Sequence, residues 1–189
     1  MDRGDQRWRK LTDTGQPLRY TPGYSIYIWG AGEIRVDVPS AWHLTQTETT
    51  TELRDRPEPD TCGLIQITVF PPFPVSDFPG LPLRKLFRDM EAGSKLEVLG
   101  RGKVFEEKSR DRQMIWQEVR FVDEESDRRI ARATTYLARG GNRHVVITCT
   151  CWDEGGPEFY PVFETVRRSV RISSLGDALT GHRQRARDN

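Results

Sequence analysis

Between Arg128 and Ile172 the residues follow one order: strand, tight turn, strand, amphipathic helix. Arg129–Ala138 and Arg143–Trp152 are two strand-length stretches separated only by Arg139 and the turn Gly140-Gly141-Asn142. A connection that short joins antiparallel neighbours and nothing else. In the second stretch Val145, Ile147, Cys149 and Cys151 fall on one face, and His144, Val146, Thr148, Thr150 and Trp152 on the other. Both faces are partly apolar, so each is expected to carry a cover. The helix that follows sets Phe159, Val162, Phe163 and Val166 along one stripe. Pro161 leaves two starts for it: a first turn from Pro157 that kinks, or a beginning at Pro161 itself. The segment therefore specifies a sheet with a helix laid across it.

Upstream, two more strands are expected at Tyr24–Trp29 and Glu33–Val38, joined by Gly30-Ala31-Gly32. Pro39-Ser40-Ala41-Trp42 then breaks the chain before a short polar strand near His43–Thr47. Thr49–Cys62, with Pro57, Pro59 and several carboxylates, reads as an exposed loop. Leu64–Phe70 alternates Ile65, Ile67 and Val69 with Gln66 and Thr68, the pattern of a half-buried strand. Pro71, Pro72, Pro74, Pro79 and Pro82 make the next connection stiff and extended. A helix over Pro82–Ala92 follows, with an apolar stripe of Leu83, Leu86, Phe87 and Met90 and Gly93 as its stop. Four strands in meander are then expected: Lys95–Glu106, Gln113–Val122, Arg129–Ala138 and Arg143–Trp152.

A chain of 189 residues is expected to hold one domain, over residues 20–173, between an N-terminal arm (1–19) and a basic C-terminal tail (174–189). Hydrophobic residues are 35% and charged residues 30%, which implies a thin core under solvated faces. The net charge of +1 supplies no global field towards nucleic acid or anionic membrane. No apolar run approaches the roughly 20 residues of a membrane span, so no membrane insertion is expected. The polar start carries no secretory signal pattern. Three cysteines are too few for a disulfide framework. A reduced, cytoplasmic protein is the expectation.

The segment Ile34-Arg35-Val36-Asp37-Val38-Pro39-Ser40-Ala41-Trp42, the strand Leu64–Phe70, the strand 143–152, and Phe159, Tyr160 and Phe163 ahead of Ser169 and Ile172 follow one another at spacings that resemble the PsbP-like superfamily. That group includes the photosystem subunit PsbP, a Ran-binding nuclear import factor and the bacterial DcrB-type proteins. The resemblance spans about residues 24–173. It implies an α+β fold, a three-layer α/β/α sandwich with a six- or seven-stranded, mainly antiparallel sheet and two main helices. It also implies a non-catalytic binding or accessory role, and it brings no active-site motif.

Several residues invite chemical roles. Cys149 and Cys151 face the same way, but a zinc site needs two further ligands. The remaining cysteine, Cys62, and the histidines His43, His144 and His182 are scattered; packed core thiols are expected. No spacing supplies a nucleophile, a base and an orienting group. Glu48, Glu52, Asp55, Glu58 and Asp60 lack the glycine and terminal glutamate of a calcium loop. Gly140-Gly141 and Gly155-Gly156 match no nucleotide fingerprint. The basic stretches Arg7-Trp8-Arg9-Lys10 and Arg183–Arg187 lie outside the expected domain, so no specific nucleic-acid binding is expected. Phe73, Val75, Phe78 and Leu81 stand out because a proline-stiffened backbone presents apolar anchors at low entropic cost. Trp42, Trp116 and Trp152 are candidates for a shared binding face.

These readings give no catalytic residue, no metal ligand and no cofactor. The expected function is a non-enzymatic protein-interaction module, in its sharper form an adaptor or chaperone for a secreted or membrane-associated protein partner. The alternative is a small-molecule-binding protein or enzyme with a pocket between sheet and helix, recognisable by convergent Asp, Glu, His or Arg side chains.

Overall fold

The computed structural model describes residues 21–29, 33–47, 49–71, 82–109, 112–141 and 143–172. Among these residues, eleven strands and two α-helices occur in the order β1 (Tyr24–Trp29), β2 (Ile34–Pro39), β3 (His43–Gln46), β4 (Thr50–Arg54), β5 (Gly63–Val69), α1 (Leu83–Ala92), β6 (Glu97–Arg101), β7 (Phe105–Lys108), β8 (Gln113–Asp123), β9 (Arg129–Gly140), β10 (Arg143–Trp152), α2 (Gly156–Ser169) and β11 (Arg171–Ile172). An eight-stranded antiparallel sheet runs β3-β4-β5-β10-β9-β8, and β8 ends the path by pairing with both β6 and β7. The strands β1, β2 and β11 form a separate antiparallel sheet.

Alternation along β10 decides which elements cover the large sheet. Val145, Ile147, Cys149 and Cys151 are buried in one core with Ile65 and Ile67 of β5, Val36 of β2, and Phe159, Phe163 and Val166 of α2. On the opposite face Val146 joins Ile115 and Leu137 beneath Leu83 and Phe87 of α1. The result is the three-layer α+β sandwich expected from the sequence. Met90, expected on the buried stripe of α1, is instead exposed in its last turn.

The sheet is wider than the sequence implied, for two local reasons. The stretch Thr49–Cys62, expected as an exposed loop, contains β4, where Thr51 and Leu53 are fully buried while Glu52 and Arg54 alternate outward. Only two buried positions mark that strand, and neighbouring charge hides them. The single strand expected over Lys95–Glu106 is split into β6 and β7 at Gly102. There the Gly102 amide donates to the Glu118 carbonyl at 2.8 Å, and a β-carbon would lie 3.3 Å from that same oxygen. The helix α2 takes the earlier of its two possible starts, with Pro157 in its first turn and Pro161 inside it.

The residues that carried the family resemblance are the ones that join the layers. Ser169 Oγ accepts from the Asp37 amide and donates to the Val166 carbonyl, both at 2.8 Å, which ties the end of α2 to β2. Ile172 pairs with Ile34, so the chain leaving α2 becomes the third strand of the small sheet. Trp42 meets Phe159 edge-on at 6.0 Å. Across the interface Tyr27 Oη and Thr51 Oγ1 are 2.6 Å apart, and the carboxylate of Glu33 pairs with Arg143.

His144 gives the fold a pH dependence. It is 3% exposed, beside Arg139 across the β9–β10 ladder. Burial, and then the Arg139 charge, push its pKa down to about 4. The unfolded chain, with a histidine pKa near 6.5, takes up the proton first, so this contribution is complete above about pH 6.5 and is lost as pH falls towards about 4. We expect His144→Gln to flatten the stability curve in that window by up to about 3 kcal/mol relative to wild type. Urea melts at pH 4.5 and 7.5 measure the difference; equal slopes for the two proteins would contradict it.

Candidate functional site

Seven large apolar side chains are exposed among the described residues, and four of them, Leu96, Leu99, Val104 and Phe105, fall within ten residues along one edge of the large sheet. They are between 38% and 51% exposed. Among the described residues no strand lies outside β6 and β7. In β6, Val98 pairs with Phe121 and Gly100 with Arg120, so Leu99 is an extra, bulged residue. A bulge spoils β6 as a template for further pairing. The four residues of β7 keep a regular register with β8.

Phe105 is the centre of this edge. Its ring stacks on Trp116 of β8 at 5.5 Å and 18°, and Trp116 in turn lies 6.3 Å from Tyr136 of β9. The Arg167 guanidinium of α2 sits 4.8 Å from the centroid of Trp116, within the range of a cation–π contact. Arg167 is fixed by Glu164 at 2.7 and 2.8 Å and by Glu107 at 2.6 Å. The Glu164 hydrogen bond is the largest influence holding the arginine in its charged form. Burial works against ionisation of Glu107, yet Arg167 and Arg112 keep its carboxyl below the usual range. The shelf is thus an aromatic surface with its cation already in place.

Beside the shelf, between the β7–β8 turn and the end of α2, is a cleft of about 430 Å³ lined by Glu107, Ser109, Arg112, Arg167, Arg168 and Arg171. The Arg112 side chain is only 5% exposed. It donates to the Val170 carbonyl, and to Glu107 at 3.0 Å. Arg168 donates to Glu164 at 2.6 Å through Nε. Arg171 donates to the carbonyls of Arg168 and Val170, each at 2.8 Å. Cations at the end of α2 also complement the negative pole of that helix. The depression is open to solvent, not an enclosed pocket between sheet and helix.

Of the tryptophans singled out in the sequence, only Trp116 belongs to this site. Trp42 packs against Phe159 on the core. Trp152 points to the opposite face of the sheet with Phe121, Ala131 and Ala133, donates its indole N–H to the Thr61 carbonyl at 3.1 Å, and lies beneath Arg129 at 4.4 Å. The three do not share a face. Phe73, Val75, Phe78 and Leu81 lie outside the described residues. Cys149 and Cys151 are buried, and burial pushes the Cys151 thiol up to about 11 and the Cys149 thiol higher still. His43 is exposed at the opposite edge. The Asp55 carboxylate accepts the amides of Cys62 and Gly63 at 2.9 and 2.8 Å, and Glu52 binds Gln66 and Arg54. Leu96, Leu99, Val104, Phe105 and the cleft arginines were not singled out from the sequence. The available signal was the pair Gly100 and Gly102, since glycines inside a strand pattern mark a bulge or a break.

A family model, Alr1449, matches residues 25–176. The chain belongs to the Alr1449 family. The matched span holds all of β2 to β11 and both helices, so the aromatic shelf and the cleft lie within the family's domain. A relative in Nostoc sp. (strain PCC 7120), the uncharacterized protein alr1449, is 26% identical over 162 residues, which are 84% of this chain and 83% of that one. Among solved structures, a protein from Bacteroides thetaiotaomicron superposes with a TM-score of 0.53 at 14% identity over 82% of this chain, which spans half of that chain's length. Cyanobacterial PsbP from Synechocystis sp. PCC 6803 gives 0.51 at 11% identity over 82% of this chain and 95% of its own. LpqN of Mycobacterium tuberculosis, involved in cell envelope biogenesis, gives 0.55 at 9% identity over 80% and 91%. The Alr1449 domain thus has the PsbP-like fold.

Proposed function

We propose that this Alr1449-family protein is a non-enzymatic protein-interaction module that engages its partner along the β6–β7 edge. The observation that supports the reading is the concentration of exposed apolar side chains on that edge, with Phe105 stacked on a tryptophan that also meets an ion-paired arginine. Interface anchors are enriched in aromatic residues and arginine, and they bind best when they are ordered beforehand. An uncovered apolar edge strand is otherwise a liability that proteins suppress. The partner segment is an extended strand that pairs with β7 and places an apolar side chain on the Phe105–Trp116 shelf, in the manner of β-strand addition. The sharper form is an adaptor or chaperone in the cytoplasm for a secreted or membrane-associated protein.

Affinity capture with intact protein tests it. Phe105→Ala, a change at a half-exposed position that leaves the core untouched, is expected to weaken partner binding by about tenfold or more, with an unchanged melting temperature. Phe73→Ala/Phe78→Ala is expected to retain the partner. The reverse pattern would move the interface to the proline-rich segment and overturn the edge. If light scattering instead shows a dimer of this chain that Phe105→Ala dissociates, the edge is a self-association surface and the adaptor reading fails.

A further inference from the structure

We infer that the strand received by β7 is acidic, with aspartate or glutamate on both sides of the apolar side chain that it sets on the Phe105–Trp116 shelf. This rests on the β6–β7 edge being the interface and adds the partner's charge to it. Lys103 and Lys108 bracket the strand; both are exposed, and neither is held by an ion pair or a hydrogen bond among the described residues. The three carboxylates of β6 and β7 are all engaged within the fold. Glu97 is bound by Arg128 at 2.8 Å, Glu106 by Arg84 at 3.0 Å, and Glu107 by Arg112 at 3.0 Å and Arg167 at 2.6 Å. An incoming carboxylate therefore meets two ammonium groups with no acid competing for them. An incoming lysine or arginine meets no unengaged carboxylate on β6 or β7, and two like charges. Arg110 and Asp111, which follow in sequence, have opposite signs and add no net charge.

Spacing sets where the acids must lie. Five residues of extended chain separate the lysines by up to about 17 Å, so one carboxylate cannot reach both, and the apolar anchor falls between two acids. Exposed ion pairs are individually weak, so this charge selects the partner more than it tightens the complex. Other polyanions fit the edge less well. Alternate residues of an edge strand turn their N–H and C=O groups outward; a peptide strand pairs with them, whereas the hydrocarbon of a membrane leaves them unsatisfied. A single-stranded nucleic acid needs a track of cations along its backbone, and two lysines at the ends of a four-residue strand do not make one.

Short random peptides displayed on phage, selected on the intact protein and counter-selected on Phe105→Ala, read the preference directly. Peptides that depend on Phe105 are expected to carry an apolar residue with Asp or Glu on each side. A synthetic member of that set should bind at least about tenfold more tightly than its counterpart with lysine at the acidic positions. Lys103→Glu/Lys108→Glu should reverse that order without altering the melting temperature, and the milder Lys103→Gln/Lys108→Gln should bring the two peptides to within about threefold. Phe105-dependent peptides with no acidic bias, or an order that the lysine variants leave unchanged, would overturn the acidic partner and leave the edge interface standing. Recovery of no Phe105-dependent peptide would remove the edge interface, and the acidic partner with it. Lysine-dependent binding to phosphatidylserine vesicles or to a thymidine oligonucleotide, tighter than to the acidic peptide, would assign Lys103 and Lys108 to a membrane or a nucleic acid and overturn the acidic strand.

Discussion

Phe159→Ala is expected to cost about 3–5 kcal/mol, the range for deleting a buried aromatic ring. Phe159 is 6% exposed and sits where three elements meet. Its ring stacks with Phe163 at 6.0 Å, receives the edge of Trp42 at 6.0 Å, and fills the space above Gly63 of β5. A β-carbon at position 63 would lie 2.3 Å from that ring, so the glycine and the phenyl ring are complementary halves of one contact. Removing the ring opens a cavity between α2, the Pro39–Trp42 turn and the large sheet, whose strands are held by their ladders and relax only partly into it. Domains of this size are stable by roughly 5–15 kcal/mol, so a large share would be lost. Gly63→Ala should also destabilise, by about 1–3 kcal/mol through overpacking. Chemical denaturation measures both. A cost below 1 kcal/mol for Phe159→Ala would mean that α2 does not seat as described.

The second large effect is expected at Glu33. Its side chain is 6% exposed and pairs with Arg143 at the start of β10, whose side chain is 18% exposed. This pair fastens the small sheet to the large one near the β1–β2 connection. Glu33→Ala strands a largely buried guanidinium, and the cost of breaking a fully buried pair, about 3–5 kcal/mol, is the upper end of the expected loss. The pair itself need not be strongly stabilising, because both charges were desolvated to make it. The two statements separate in a double variant: Glu33→Ala/Arg143→Leu should recover most of what Glu33→Ala loses. If the two changes simply add, the pair is not coupled.

Much of the fold was legible because the strongest signals were periodic. The β9–β10 hairpin and the stripe of α2 follow from alternation and helical spacing, and they fix which face of the sheet is core. Ser169, Ile172 and Trp42 could be recognised as recurring residues, but their work of joining β2 to α2 depends on partners more than a hundred residues away. β4 was hidden because its buried positions are separated by Glu52 and Arg54. The split of β6 from β7 depends on one close approach at Gly102. The candidate site was the least legible part. A Phe–Trp stack across a strand pair, with an arginine reaching in from a helix, involves three segments whose spacing in sequence carries no period. Trp116 was visible as a large aromatic; what it stacks on was not.

A photo-crosslinking residue placed at Phe105, with a control at Leu44 on the opposite edge of the sheet, reports directly which edge a partner occupies. Both positions are about half exposed, so accessibility does not favour either. A discrete protein adduct is expected from position 105 and none above background from position 44. An equal or stronger adduct from position 44 would rule out the β6–β7 edge as the interface.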